Sequence, residues 1–134
     1  GHSMGGHGAL TIGLTHPECY RAVSALAPIA SPTRAPWGEK AFAGYLGDDR
    51  ERWRAHDATC LLADGFTRDE LLVDVGTADG FLDTQLQPDL LQAAAAAAGQ
   101  ALTLRYQEGY DHSYYFVATF LPDHLAWHAA RLGA

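Results

Sequence analysis

Between residues 70 and 107 the chain reads ELLVDVGTADG, then a proline-led, alanine-rich run PDLLQAAAAAAG, then LTLRYQ. No other stretch restricts the fold as much. Residues 70–75 and 102–107 are short runs with strand character, and the first ends in a glycine-bearing turn. Residues 88–98 read as a helix: Pro88 is tolerated in the first turn, alanine has the highest helix propensity, and Gly99 supplies the stop. Strand, helix and strand in succession imply a βαβ unit. The expected class is therefore α/β, a mostly parallel sheet with helices on both faces.

The remainder fits that scheme. Residues 4–14 allow a helix ended by His16-Pro17, and YRAVSAL (20–26) suits a strand buried in a sheet. The Pro- and Gly-rich segment APIASPTRAPWGEKAFAGYLGDD (27–49) reads as a long excursion rather than a core element, of the kind that forms lids or binding loops. Residues 51–62 allow a helix. Residues 114–132 are expected to close the chain as a helix interrupted near Pro122.

Open parallel sheets bind ligands at the carboxyl ends of their strands, so chemistry is expected in the loops that follow them. The chain opens GHSMG, the G-x-S-x-G pattern of a strand-to-helix turn that exposes a serine hydroxyl. Asp79 lies four residues beyond ELLVDV, and His112 five beyond LTLRYQ. Serine, acid and histidine in that chain order is the order of α/β-hydrolases, and it differs from the orders of chymotrypsin-like and subtilisin-like enzymes.

The chemistry accounts for each residue type. A serine hydroxyl needs a base to take its proton, and imidazole can both accept and return one near neutral pH. A carboxylate on the far ring nitrogen fixes the tautomer and stabilises the imidazolium. The oxyanion needs preset donors, one of which would be the backbone N–H of Met4 at a helix N-terminus. The second donor is expected from a loop upstream of Gly1.

Rivals exist for two of these roles. Asp74 falls inside its strand, and Asp83 is expected to face solvent or cap a turn. His124 and His128 are four apart, a spacing that can hold a metal, but no third ligand is evident and a solvated helix face is the expectation. No metal is expected. His2 and His7 flank the serine, with substrate contact and packing both open.

Composition narrows the partners. A net charge of −7 and a pI near 5.3 argue against nucleic acid, and no window of about 18 apolar residues suggests a membrane span. Cys19 and Cys60 lack metal or disulfide spacing and are expected to be reduced, buried small hydrophobes of a cytoplasmic protein.

Four blocks, GHSMGGHGAL, PWGEKAFAGYLGDD, GTADGFL and LRYQEGYDHSYYFVATF, together resemble the S-formylglutathione hydrolases, also called esterase D, from residue 1 to about 128. The resemblance implies an α/β-hydrolase fold and a cofactor-free, cytoplasmic serine thioesterase that converts S-formylglutathione to glutathione and formate in formaldehyde detoxification. It implies a small-molecule thioester as partner, and often a homodimer. By motif, Ser3 is the nucleophile, Asp79 the acid, His112 the base and Met4 an oxyanion donor, with His2, Trp37 and Lys40 as substrate-binding candidates.

On this reading residues 1–134 are the C-terminal part of a single α/β-hydrolase domain, starting at the nucleophile elbow, with the N-terminal half of the domain outside the chain. One departure is SPTRAPW, where the resemblance leads one to expect a cysteine close before the PW pair. The alternatives are a broader carboxylesterase or acyltransferase of the same fold, and an inactive fragment that at most binds.

Overall fold

The computed structural model describes residues 1–133. Three strands, β1 (Val23–Leu26), β2 (Leu71–Gly76) and β3 (Leu102–Gln107), form a parallel sheet in the order β1-β2-β3. The register runs Val23 beside Leu71 and Leu71 beside Leu102. Ahead of them, His2 pairs with Leu26 in an isolated parallel bridge on the other side of β1. The Gly1 carbonyl accepts the Leu26 N–H (2.8 Å), and the Ser3 N–H donates to the Leu26 carbonyl (2.9 Å).

The helices are α1 (Met4–Thr15), α2 (Pro36–Leu46), α3 (Arg50–Trp53), α4 (Ala58–Ala63), α5 (Pro88–Ala98) and α6 (Tyr114–Leu132). Strand side chains alternate between the two faces of the sheet. One face presents Val23, Ala25, Leu71, Val73 and Val75, which pack with Leu10 and Leu14 of α1, Leu61 and Leu62 of α4, and Leu91 and Ala95 of α5. Gly13 makes the closest approach possible, because a Cβ there would collide with the Val23 side chain. On the other face α6 lies against β1 and β2. The fold thus has helices on both faces of a parallel sheet, as expected.

Four local expectations need correction. β1 begins at Val23 rather than Tyr20, and Tyr20 and Arg21 are exposed. Residues 27–49 are not a mere excursion: residues 27–32 are buried, residues 36–46 form α2, and Phe42 packs between His7, Trp37 and Trp53. The small apolar residues and aromatics of this segment supply the buried surface that holds it, with α2 lying against residues 32–34, α3 and residues 82–86.

Residues 51–62 do not make one helix. Asp57 is fully buried, accepts from the Thr33 N–H and hydroxyl, and caps α4 by accepting the Cys60 N–H (3.0 Å), so the chain breaks and restarts there. α6 is continuous through Pro122. Pro122 and Ala118, whose carbonyl loses its donor, both lie on the exposed side, where water can serve that carbonyl.

The cysteines also differ from expectation. Cys19 is exposed in the turn after α1 and Cys60 is half-buried on α4; both are free thiols.

Candidate active site

The loops that follow β2 and β3 at the carboxyl edge of the sheet are zipped together by hydrogen bonds. Thr77 N–H donates to the Gln107 carbonyl (3.0 Å), Ala78 N–H to the Tyr110 carbonyl (2.9 Å), and Gly109 N–H to Thr77 Oγ1 (2.8 Å). Gly76 is required at the end of β2, since a Cβ would run into the Tyr110 carbonyl. The loop that carries Asp79 is in this way laid against the loop that carries His112.

Ser3 occupies the turn between the bridge strand and α1 with φ 56° and ψ −116°, a region costly for a residue with a Cβ. Gly1 makes the turn possible, because a Cβ there would collide with the Gly5 carbonyl. The strain projects the hydroxyl outward. Ser3 Oγ donates to His112 Nε2 at 2.8 Å, and His112 Nδ1–H donates to Asp79 Oδ2 at 2.6 Å. An ionised carboxylate only accepts, so Asp79 keeps the proton on Nδ1 and leaves Nε2 free to take the serine proton. The second carboxylate oxygen, Oδ1, accepts the Phe81 N–H at 2.8 Å, and the Asp79 side chain is wholly shielded from solvent.

The serine opens on a cavity of about 170 Å³ lined by Ser3, His112, Gln85 and the apolar side chains of Met4, Ile29, Trp37, Phe81 and Leu86. The Ser3 N–H is consumed by the sheet, whereas Met4 is the first residue of α1, where N–H groups have no intrahelical acceptor. A developing oxyanion beside Ser3 would find that donor and the positive end of the helix. The set can activate a hydroxyl, hold an acyl group and stabilise a tetrahedral adduct.

Trp37 forms a wall of the cavity, and its backbone N–H donates to Gln85 Oε1 (3.0 Å). Lys40 does not line it. It is exposed in a neighbouring groove that shares Met4 and Trp37 with the cavity. His2 is also absent from the walls: its ring lies 4.8 Å from that of His112. His7 packs against Trp37 and Phe42, and its pKa is lowered chiefly by burial.

Ile29, Gln85 and Leu86 had no distinguishing signal in the sequence. Residues 82–86 wind as a π-helix, which turns Gln85 and Leu86 toward Ser3.

Asp83 is exposed, as expected, but His124 is not on a solvated face. It is 3% exposed, with Nε2 3.1 Å from Asp74 Oδ2 and Nδ1 2.9 Å from Ser24 Oγ, which also bonds His128 Nε2 (2.8 Å). Arg105 adds a two-pronged bond to Asp74, both contacts at 2.6 Å. Burial pushes the Asp74 carboxyl up, but His124 and Arg105 together hold it below the ordinary carboxylate range.

This cluster repeats the residue types of the Ser3 site without its setting. Ser24 is 7% exposed and sits inside β1 in regular extended pairing, with no strained turn behind it. It is a satisfied buried polar network beneath α6. Among the described residues no group of His, Cys, Asp or Glu is arranged to hold a metal ion, and no helix is long and apolar enough to cross a membrane.

Residues 1–127 match the family model described as "Putative esterase". The chain is 56% identical over 133 residues to an S-formylglutathione hydrolase of Paracoccus denitrificans, covering 99% of this chain and 47% of the relative. It is 52% identical over 136 residues to the S-formylglutathione hydrolase of Rattus norvegicus, covering 48% of that protein. A solved structure of an S-formylglutathione hydrolase from Agrobacterium tumefaciens superposes with a TM-score of 0.96 at 52% identity, over 98% of this chain and 48% of that one. The chain thus spans about half the length of the curated relatives it matches. Its fold is of the α/β-hydrolase type.

Proposed function

The chain belongs to the esterase family, and from that premise we propose that it supplies the nucleophile, base and acid of a serine thioesterase that hydrolyses S-formylglutathione to glutathione and formate. One observation carries the proposal: the hydrogen-bonded series Ser3–His112–Asp79 at the mouth of a lined cavity. The choice of thioester is supported by the names of relatives that are more than half identical over the whole chain. Those relatives are twice as long, which supports reading residues 1–134 as the part of one hydrolase domain that follows the elbow.

In the proposed reaction Ser3 Oγ attacks the formyl carbon while His112 Nε2 takes its proton, and the Met4 N–H receives the oxyanion. The C–S bond breaks, and His112 returns the proton to the departing thiolate. Water, deprotonated by His112, then cleaves the formyl-serine ester, and the proton goes back to Ser3 as formate leaves. No step calls for a cofactor. On the same reading the enzyme acts in the cytoplasm in formaldehyde detoxification, as a homodimer.

The test is hydrolysis of S-formylglutathione and longer acyl-glutathione thioesters by the complete protein and its Ser3→Ala variant. The expected result is a strong preference for formyl and loss of turnover in the variant. Turnover confined to longer acyl chains or to feruloyl esters would overturn the substrate assignment. A broader carboxylesterase is the second reading, favoured by the apolar side chains of Met4, Ile29, Trp37, Phe81 and Leu86 that line the cavity at Ser3 and suit an acyl chain longer than formyl. The same acyl series separates the two.

A further inference from the structure

Two hydrogen bonds hold His112, one at each ring nitrogen. They define an axis through the imidazole but leave the ring able to rock about that axis. His112 also sits in the loop between β3 and α6, so no regular element restrains it. Each of its hydrogen-bonding partners, however, brings a ring alongside. His2 precedes Ser3, and its imidazole lies 4.8 Å from that of His112 at 37°. Phe81 follows Asp79, donates its N–H to Asp79 Oδ1, and sets its ring 5.1 Å from His112 at 78°.

We propose that His2, together with Phe81, is a positioning residue that stops the His112 imidazole from rocking and so keeps Nε2 aimed at Ser3. The inference rests on the assignment of His112 as the base. Three observations set His2 apart from a substrate contact or a hydrogen-bonding group. Its side chain is not a wall of the cavity at Ser3. Its Nε2 is buried and makes no hydrogen bond among the described residues. Its backbone is pinned to Leu26 by the bridge, so the ring is carried by the sheet itself.

The ring is also suited to stand beside a transient imidazolium. Burial, with His112 itself second, lowers its pKa from the ordinary value, so it stays uncharged near neutral pH.

The test is a set of His2 variants of the complete protein, compared by steady-state kinetics and by the rate of labelling with a fluorophosphonate. A misaimed catalytic group costs up to ~10²-fold, so His2→Ala should lower kcat by about 10- to 100-fold with KM nearly unchanged, and labelling should slow in parallel. His2→Phe, which restores a ring, should recover most of the rate. His2→Leu fills similar space without a ring and guards against a folding defect; it should melt like the unaltered protein yet react as slowly as His2→Ala.

The proposal is overturned if His2→Ala keeps its kcat, if the loss falls on KM, or if His2→Leu is as active as His2→Phe. An active Ser3→Ala protein would instead sink the underlying reaction. A dead Ser3→Ala beside an unaffected His2→Ala would remove only the positioning role.

Discussion

Ser3 illustrates how a residue becomes chemically distinct through its surroundings. A serine hydroxyl is ordinary until the backbone is forced to φ 56° and an imidazole nitrogen is set 2.8 Å away. In the proposed reaction Asp79 acts through His112: it selects the tautomer and stabilises the imidazolium. Replacing it by asparagine keeps the shape but allows the wrong nitrogen to carry the proton. Asp79→Asn is therefore expected to lower kcat by roughly 10⁴-fold with little change in fold, which steady-state kinetics beside a thermal melt would check. The residues singled out by chain order are those that the fold brings into contact, because motif and order record loop positions. His124 departs from expectation for the complementary reason: helical spacing does not reveal which face lies on the sheet.

Among the elements, α1 and the β2–β3 pair carry the tightest constraints. Gly13→Ala would press a methyl group into Val23 and is expected to cost about 1–3 kcal/mol, measurable by denaturant unfolding. Beneath α6, Asp74 is fully shielded while Arg105 reaches it from a partly exposed position. Asp74→Asn should destabilise by about 3 kcal/mol, since it removes the buried counter-charge of Arg105 and sets an amide NH2 where a carboxylate oxygen accepted from Arg105 or His124. The pH dependence follows from the sign of the shift. A carboxyl held below its unfolded value, ~3.9, contributes fully above that pH and loses the contribution as pH falls through its depressed folded value. Unfolding midpoints should therefore drop on the acid side in the unaltered protein, and Asp74→Asn should flatten that drop. Strands and the Pro88–Ala98 helix were readable because propensity and pattern agree there. The break at Asp57 was not, because it depends on Thr33, distant in sequence.

Over the whole molecule, burial is uneven. The face of the sheet under α1, α4 and α5 is closed, whereas α6 leaves Leu121, Leu125 and Leu132 exposed, and α1 leaves Ile12 half exposed. Apolar groups spread over two helices and an open sheet edge favour association. Residues 1–134 are expected to self-associate despite the net charge of −7, which light scattering coupled to size exclusion would detect.

The strand segments, the Pro88–Ala98 helix and the loops that bear Ser3, Asp79 and His112 were determined by the sequence alone, since each depends on neighbours within a few residues. Only the tertiary structure decided that His2 stands beside His112, that Gln85 and Leu86 wall the cavity, and that Asp74 and His124 are buried together. Those outcomes depend on which faces meet, and that is settled by packing between segments far apart in the chain.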